Sequence, residues 1–267
     1  MSSAVLADAA AGVSGLIAGP GREGVLLATL TEALIVGVAT PDGVRVISLL
    51  SARGSGVPNG VRLASGSLRG HRVGEQACVG SGGIRTGSLD IRVVRTWSSA
   101  VYPIRTTPSG LVELEQAVDS ALCGVPAPAV EALRAAWDDQ KSGEQRCGSA
   151  IGGLIGLGQG LTPGGDDVVA GMLIGLHAVG HSDLARRMGT VDRLAERTTL
   201  LSADLIRLAA AGHACLEVLG VLTAMNAGAL LDASIDRLLS VGHTSGADLV
   251  TGLAIGLRVG ARRQEAR

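Results

Sequence analysis

Phenylalanine is absent from this 267-residue chain, tyrosine occurs once and tryptophan twice. Recognition by stacking on bases or sugars needs aromatic platforms, so it is disfavoured here. A net charge of −1 gives no electrostatic reason to expect nucleic acid as a partner. A ligand would instead be held by backbone groups and small polar side chains. The four cysteines, Cys78, Cys123, Cys147 and Cys215, are far apart and form no C-x-x-C, which indicates neither a zinc site nor a disulfide framework. Long apolar runs are also missing. The best, Val168 to Val179, is about 12 residues and too short to span a bilayer. The run from Cys215 to Leu231 is interrupted by Glu217 and Asn226. Met1 to Gly19 lacks a basic start and carries Asp8, which makes a poor signal peptide. The chain reads as cytoplasmic, without a membrane segment. No G-K-[ST] follows its glycines, no dinucleotide fingerprint has the right spacing, and no G-x-S-x-G elbow occurs.

What is present is an ample apolar fraction, 46%, enough for one large domain or two modest ones. The expected class is α+β. Residues 1–108 form a β-rich part, either barrel-like or a curled antiparallel sheet, and residues 109–267 form a helical part. After a lead-in over residues 1 to about 20, read as a short helix or loose segment, Gly24–Thr29, Ala33–Ala39 and Val44–Leu50 are apolar runs divided by turn residues, as in an antiparallel meander. Val61–Leu63, Val73–Val79 and Leu89–Val94 add strands, with Gly80 to Gly87 read as turn. The apolar period then lengthens. Helices are expected over 111–122, 126–139, 165–179, 184–196, 200–211, 214–225, 229–239 and 246–262, with a polar break at 142–148.

The stretch most suggestive of chemistry is Gly152 to Gly180, a glycine-rich loop running into an apolar helix with Asp166 and Asp167 at the junction. Residues 241–260 repeat it at an offset of 81, with seven identities over the twelve positions from Gly165 to Leu176, including Asp167 with Asp248. Thr162-Pro163 reads as a cap and first helical residue, with Gly164 or Gly165 as the alternative start. Ser245 to Asp248 resembles a capping box. Free N–H groups at such helix starts, beside a flexible loop, suit a small anion. Carboxylates there serve as first-turn acids that stabilise the helix, as acceptors for an amide ligand, or, for Asp166 and Asp167, as candidates to hold Mg²⁺; no other cofactor is indicated. Gly171/Gly175 and Gly252/Gly256 are small-x-x-x-small pairs that let helix backbones approach closely. The two repeats are therefore expected to cross at these glycines, with both Asp-bearing starts facing one pocket.

Among the remaining polar residues, Thr198, Thr199 and Ser202 open a helix and read first as caps. His243 precedes the second Asp-bearing helix beside Thr244 and Ser245. His71, His177 and His181 have no motif context. Candidate substrate-binding residues are Gly158, Gly160, Thr162, Gly164, Gly165, Asp166, Thr199, Ser202, Thr244, Ser245 and Asp248; candidate catalytic residues are Asp167 and His243.

The segments GLGQGLTPGGDD (156–167), TTLLSA (198–203) and GHTSGAD (242–248) together resemble the AllH family. Gln159 and Gly164 stand where the family more often has Pro and Ser. The resemblance implies a subunit of an oxamate carbamoyltransferase of anaerobic allantoin degradation, converting oxalurate and phosphate to oxamate and carbamoyl phosphate beside other subunits. It also implies a small anionic substrate and partner subunits. Homo-oligomerisation, a non-catalytic assembly role and a metal-dependent activity on a phosphate compound stay open.

Overall fold

The computed structural model describes residues 4–138, 143–190 and 194–265. It divides into two compact units, Met1–Ala100 and Val101–Arg267. The expected helical residues 139 and 191–193 lie outside the described residues, as do positions 1–3 of the lead-in.

The first unit is a closed eight-stranded barrel. In chain order its strands are β1 (Val5–Ala10), β2 (Arg22–Thr29), β3 (Ala33–Thr40), β4 (Gly43–Leu50), β5 (Gly60–Leu63), β6 (Gln76–Gly80), β7 (Gly83–Thr86) and β8 (Leu89–Trp97). Around the barrel the order is β1-β5-β4-β3-β2-β6-β7-β8. The expected meander is β2–β4, joined antiparallel with Thr40 opposite Gly43 across the turn. Closure comes from β1, which pairs antiparallel with β5 and parallel with β8. The lead-in was expected to be a helix or loose segment. It instead supplies this closing strand, followed by a short helix, α1 (Ser14–Ala18). The turn expected at 80–87 contains β7, whose Ile84 and Thr86 are buried while Arg85 faces out. Both misreadings have one cause. These segments are small-residue-rich or very short, and a neighbouring strand supplies the order that local propensity does not. The core holds Leu26, Leu34, Val36, Ile47, Leu49, Leu63, Val79, Ile84 and Ile91.

The second unit is helical. Its elements are α2 (Pro108–Ser120), α3 (Ala127–Asp138), α4 (Gly143–Leu154), α5 (Gly164–Ala178), α6 (Ser182–Met188), α7 (Leu194–Arg197), α8 (Leu200–Ala210), α9 (Leu216–Ala227), α10 (Leu231–Leu239) and α11 (Ser245–Glu265). Of the expected polar break at 142–148, residue 142 lies outside the described residues and 143–148 are helical. Within α4, Cys147, Ile151 and Leu154 recur at helical spacing and are buried, which outweighs the polar residues between them. The expected helix from 184 is two short ones, α6 and α7. Leading into this unit, the Val101 N–H donates to Gly212 O (2.8 Å) and that of Ile104 to Ala178 O (2.8 Å).

All fifteen residues of α5 are buried. A helix that is apolar on every side belongs at the centre of its unit, and the others pack around α5. Its closest partner is α11, and glycine explains the closeness. A Cβ on Gly171 would lie 2.2 Å from Leu249 O, and one on Gly252 would lie 1.9 Å from Val168 O. One turn on, a Cβ on Gly175 would meet Leu253 O (2.7 Å) and Gly256 Cα (2.9 Å), and one on Gly256 would meet Met172 O (2.2 Å) and Gly175 Cα (3.0 Å). Each contact maps onto its counterpart through the 81-residue offset, so the repeat is a local two-fold. The contacts also advance together along both helices, so α5 and α11 run parallel.

Candidate functional site

Because the pair is parallel, both helix N-termini lie at the same end. Two positive dipole ends side by side repel, and negative charge there offsets the repulsion. Each start carries one acid at the matching position of the repeat, Asp167 on α5 and Asp248 on α11. Asp167 is 7% exposed and Asp248 0%, and the Oδ2 atom of each is buried without a hydrogen-bond partner.

The three first-turn acids have separate tasks. Asp166 Oδ1 accepts from the Gly156 N–H (2.8 Å), and its Oδ2 accepts from the Thr198 hydroxyl. It therefore staples the glycine loop and the lead into α8 to the start of α5. Consecutive residues point about 100° apart on a helix, so Asp167 faces another way. Asp248 Oδ1 accepts from the Gly124 N–H (2.8 Å) and from Cys123 Sγ (2.8 Å), fixing the link between α2 and α3. The capping box expected here is not made, because Ser245 is already helical and the Asp248 N–H donates to Thr244 O (2.9 Å). At the other start the helix begins at Gly164, one of the two alternative starts, and Pro163 rather than Thr162 is the cap residue.

Burial is the main cause that pushes the Asp167 carboxyl up to about 8; the Ser245 hydroxyl works against it, and the charges of Asp248 and Asp166 add to it. Burial likewise pushes the Cys123 thiol up to about 11, helped by its hydrogen bond to Asp248. Cys123 is thus a thiol donor at neutral pH rather than a nucleophile.

In front of the two helix starts lies a cleft of about 550 Å³. Gly124 and Pro126 form one side. Leu157 to Thr162 and Gly164 form the glycine-loop side, and His243, Thr244 and Ser245 close it. The loop can bend this way because Gly156 and Gly158 have φ of +76° and +122°. A Cβ on Gly156 would also lie 2.2 Å from Arg197 O. The Thr162 and Ser245 hydroxyls, one from each repeat, meet at 3.3 Å.

Of the candidates read from the sequence, Gly158, Gly160, Thr162, Gly164, His243, Thr244 and Ser245 line this cleft. Asp167 and Asp248 lie buried at the helix starts. Gly165 packs where a Cβ would lie 2.1 Å from Leu154 O. Thr199 caps α8, accepting from the Ser202 N–H (3.0 Å) and donating to Leu161 O (2.6 Å), so it holds a cleft loop from behind. Ser202 is buried. Cys123, Gly124 and Pro126 were not among the candidates, and no local signal marks them; Thr198, read from the sequence as a cap, instead donates to Asp166. Among the described residues, no group of three or more His, Cys, Asp or Glu could hold a metal ion. Nor is any helix of the described residues long and apolar enough to cross a membrane.

Barrel and helical pair define a two-unit protein with a cleft where two glycine-crossed helices begin. Residues 154–257 match the AllH family, described as oxamate carbamoyltransferase subunit AllH. The match spans the twelve aligned positions of both repeats and every cleft residue except Gly124 and Pro126. It bears out the resemblance of this stretch to that family. No solved structure matches the chain.

Proposed function

We propose that this chain is the AllH-like subunit of an oxamate-type carbamoyltransferase and binds a small anionic carbamoyl or carboxylate compound in the cleft at the starts of α5 and α11. The observation that carries the proposal is the convergence of two parallel helix N-termini on one cleft lined by glycine backbone and hydroxyls. Carbamoyl phosphate, oxamate and oxalurate are compact anions with amide groups. They need N–H and O–H donors for their oxygens and no aromatic platform. Carbamoyl transfer from phosphate to an amide nitrogen forms one C–N bond, breaks one C–O bond and releases one proton from the nitrogen. Such a step needs alignment and stabilisation of oxygen charge more than a protein nucleophile. We assign that proton to His243 on the cleft wall, with the buried Asp167 as a positioning group. Partner subunits would complete the site.

A second reading, a non-catalytic binding or assembly subunit, draws on the thiol nearest the cleft, which is raised out of its reactive range. Thermal-shift titration with carbamoyl phosphate, oxamate, oxalurate and inorganic phosphate, with and without Mg²⁺, separates the readings. The proposal expects stabilisation by a carbamoyl or oxamate compound without Mg²⁺, weakened in Ser245→Ala and His243→Ala. No stabilisation by any of them would sink it. Stabilisation only with Mg²⁺ would favour a metal-dependent activity on a phosphate compound.

A further inference from the structure

Asp167 is nine-tenths buried with its Oδ2 unpartnered, and the side chains that favour its charged form are Ser245 and Thr162, both on the cleft lining. Each hydroxyl has one proton to give. While Asp167 is ionised it draws those protons inward and leaves oxygen lone pairs facing the cleft. An anion entering then meets lone pairs, the Asp167 charge and, beside it, Asp248. If Asp167 carries a proton, its O–H can donate to a hydroxyl oxygen, and that hydroxyl turns its own proton outward.

We propose that anion binding in this cleft takes up one proton from solvent, held on Asp167, and that Asp167 is a positioning residue that turns the Ser245 and Thr162 hydroxyls toward the ligand. The inference rests on the cleft being the anion site proposed above. The groups around Asp167 fit it. From α11, Asp248 bears on Asp167 and discourages a second negative charge; on α5 itself, Asp166 does the same from its place on Gly156 and Thr198. From the link before α3, Cys123 is committed to Asp248 and stays a thiol up to about pH 11. His243 stands on the cleft wall and is the other titratable side chain able to answer to the ligand.

The test is isothermal titration of the full-length chain with oxamate, whose carboxylate does not titrate near neutrality. It is run at pH 7 and pH 9, each in two buffers of different ionisation heat. With Asp167 titrating near 8, uptake is about 0.1 proton at pH 7 and about 0.9 at pH 9, and affinity falls about tenfold between them. In Asp167→Asn, whose amide donates permanently, binding persists with neither uptake nor pH dependence. Thr162→Val combined with Ser245→Ala keeps the acid but removes the relay, and also abolishes uptake. Binding at pH 9 without proton uptake overturns this inference and leaves the proposed function standing. Uptake that survives Asp167→Asn but vanishes in His243→Gln also overturns it. No binding at either pH overturns both.

Discussion

Asp167→Asn should make the ligand-free chain more stable above neutral pH, and the size of the effect follows from burial. The folded carboxyl is pushed from 3.8 up to about 8. Between those values the folded chain holds a proton that the unfolded chain has released. Where the folded state binds more protons, stability falls as pH rises, by about 1.4 kcal/mol per unit for one group. From pH 5 to pH 8 this one side chain therefore removes about 4 kcal/mol, and the loss levels off above 8, where the folded form also deprotonates. For a chain this size the corresponding change in Tm is on the order of 10 °C. Asparagine has nearly the same shape and no proton to lose, so subtracting its curve from the wild-type curve cancels every other titrating group. Urea denaturation or thermal unfolding at half-unit steps from pH 5 to 9 supplies both curves. A flat difference would show that Asp167 is not the buried, uncompensated acid described here. A difference rising with pH, as for a carboxylate stabilised by the fold, would refute the reasoning outright.

Two further predictions concern packing and a buried histidine. Gly252→Ala places a methyl 1.9 Å from Val168 O, so α5 and α11 must separate; a loss of about 3 kcal/mol or more in urea denaturation is expected, together with weaker oxamate binding. Gly220→Ala in α9, with nothing within 4 Å, should instead stabilise by about 0.5–1 kcal/mol. If both behave alike, the glycines mark composition rather than close approach. Burial holds His177 below the usual histidine range, and its ring joins Ala210 O (2.8 Å, from Nε2) to the Ser182 hydroxyl (3.0 Å, at Nδ1). The neutral ring donates at one nitrogen and accepts at the other. Because its folded pKa is depressed, the unfolded chain binds the proton first, so this stability is present above about pH 6.5 and is lost as pH falls below it. His177→Gln should flatten that acid limb in a pH series of Tm values; an unchanged limb would refute the assignment.

The sequence by itself determined the α+β class, most strands of the meander, the central apolar helix and the pairing of two glycine-rich helix starts. These were legible because their signals are local. Strand alternation and helical period reflect which face is buried, and the 81-residue repeat lets Gly171, Gly175, Gly252 and Gly256 be recognised as two copies of one surface. The tertiary structure alone decided what each acid does. Asp166 and Asp167 are adjacent in sequence and look interchangeable. Yet a 100° turn of helix gives Asp166 the Gly156 N–H and the Thr198 hydroxyl, and leaves Asp167 with an unpartnered oxygen. Cys123 and Gly124 could not be read as part of the site because their partner, Asp248, is more than a hundred residues away. The same holds for β1, whose order comes from β5 and β8 rather than from its own small residues. Local propensity is written along the chain, whereas the charge environment of a side chain depends on which distant backbone the fold brings against it.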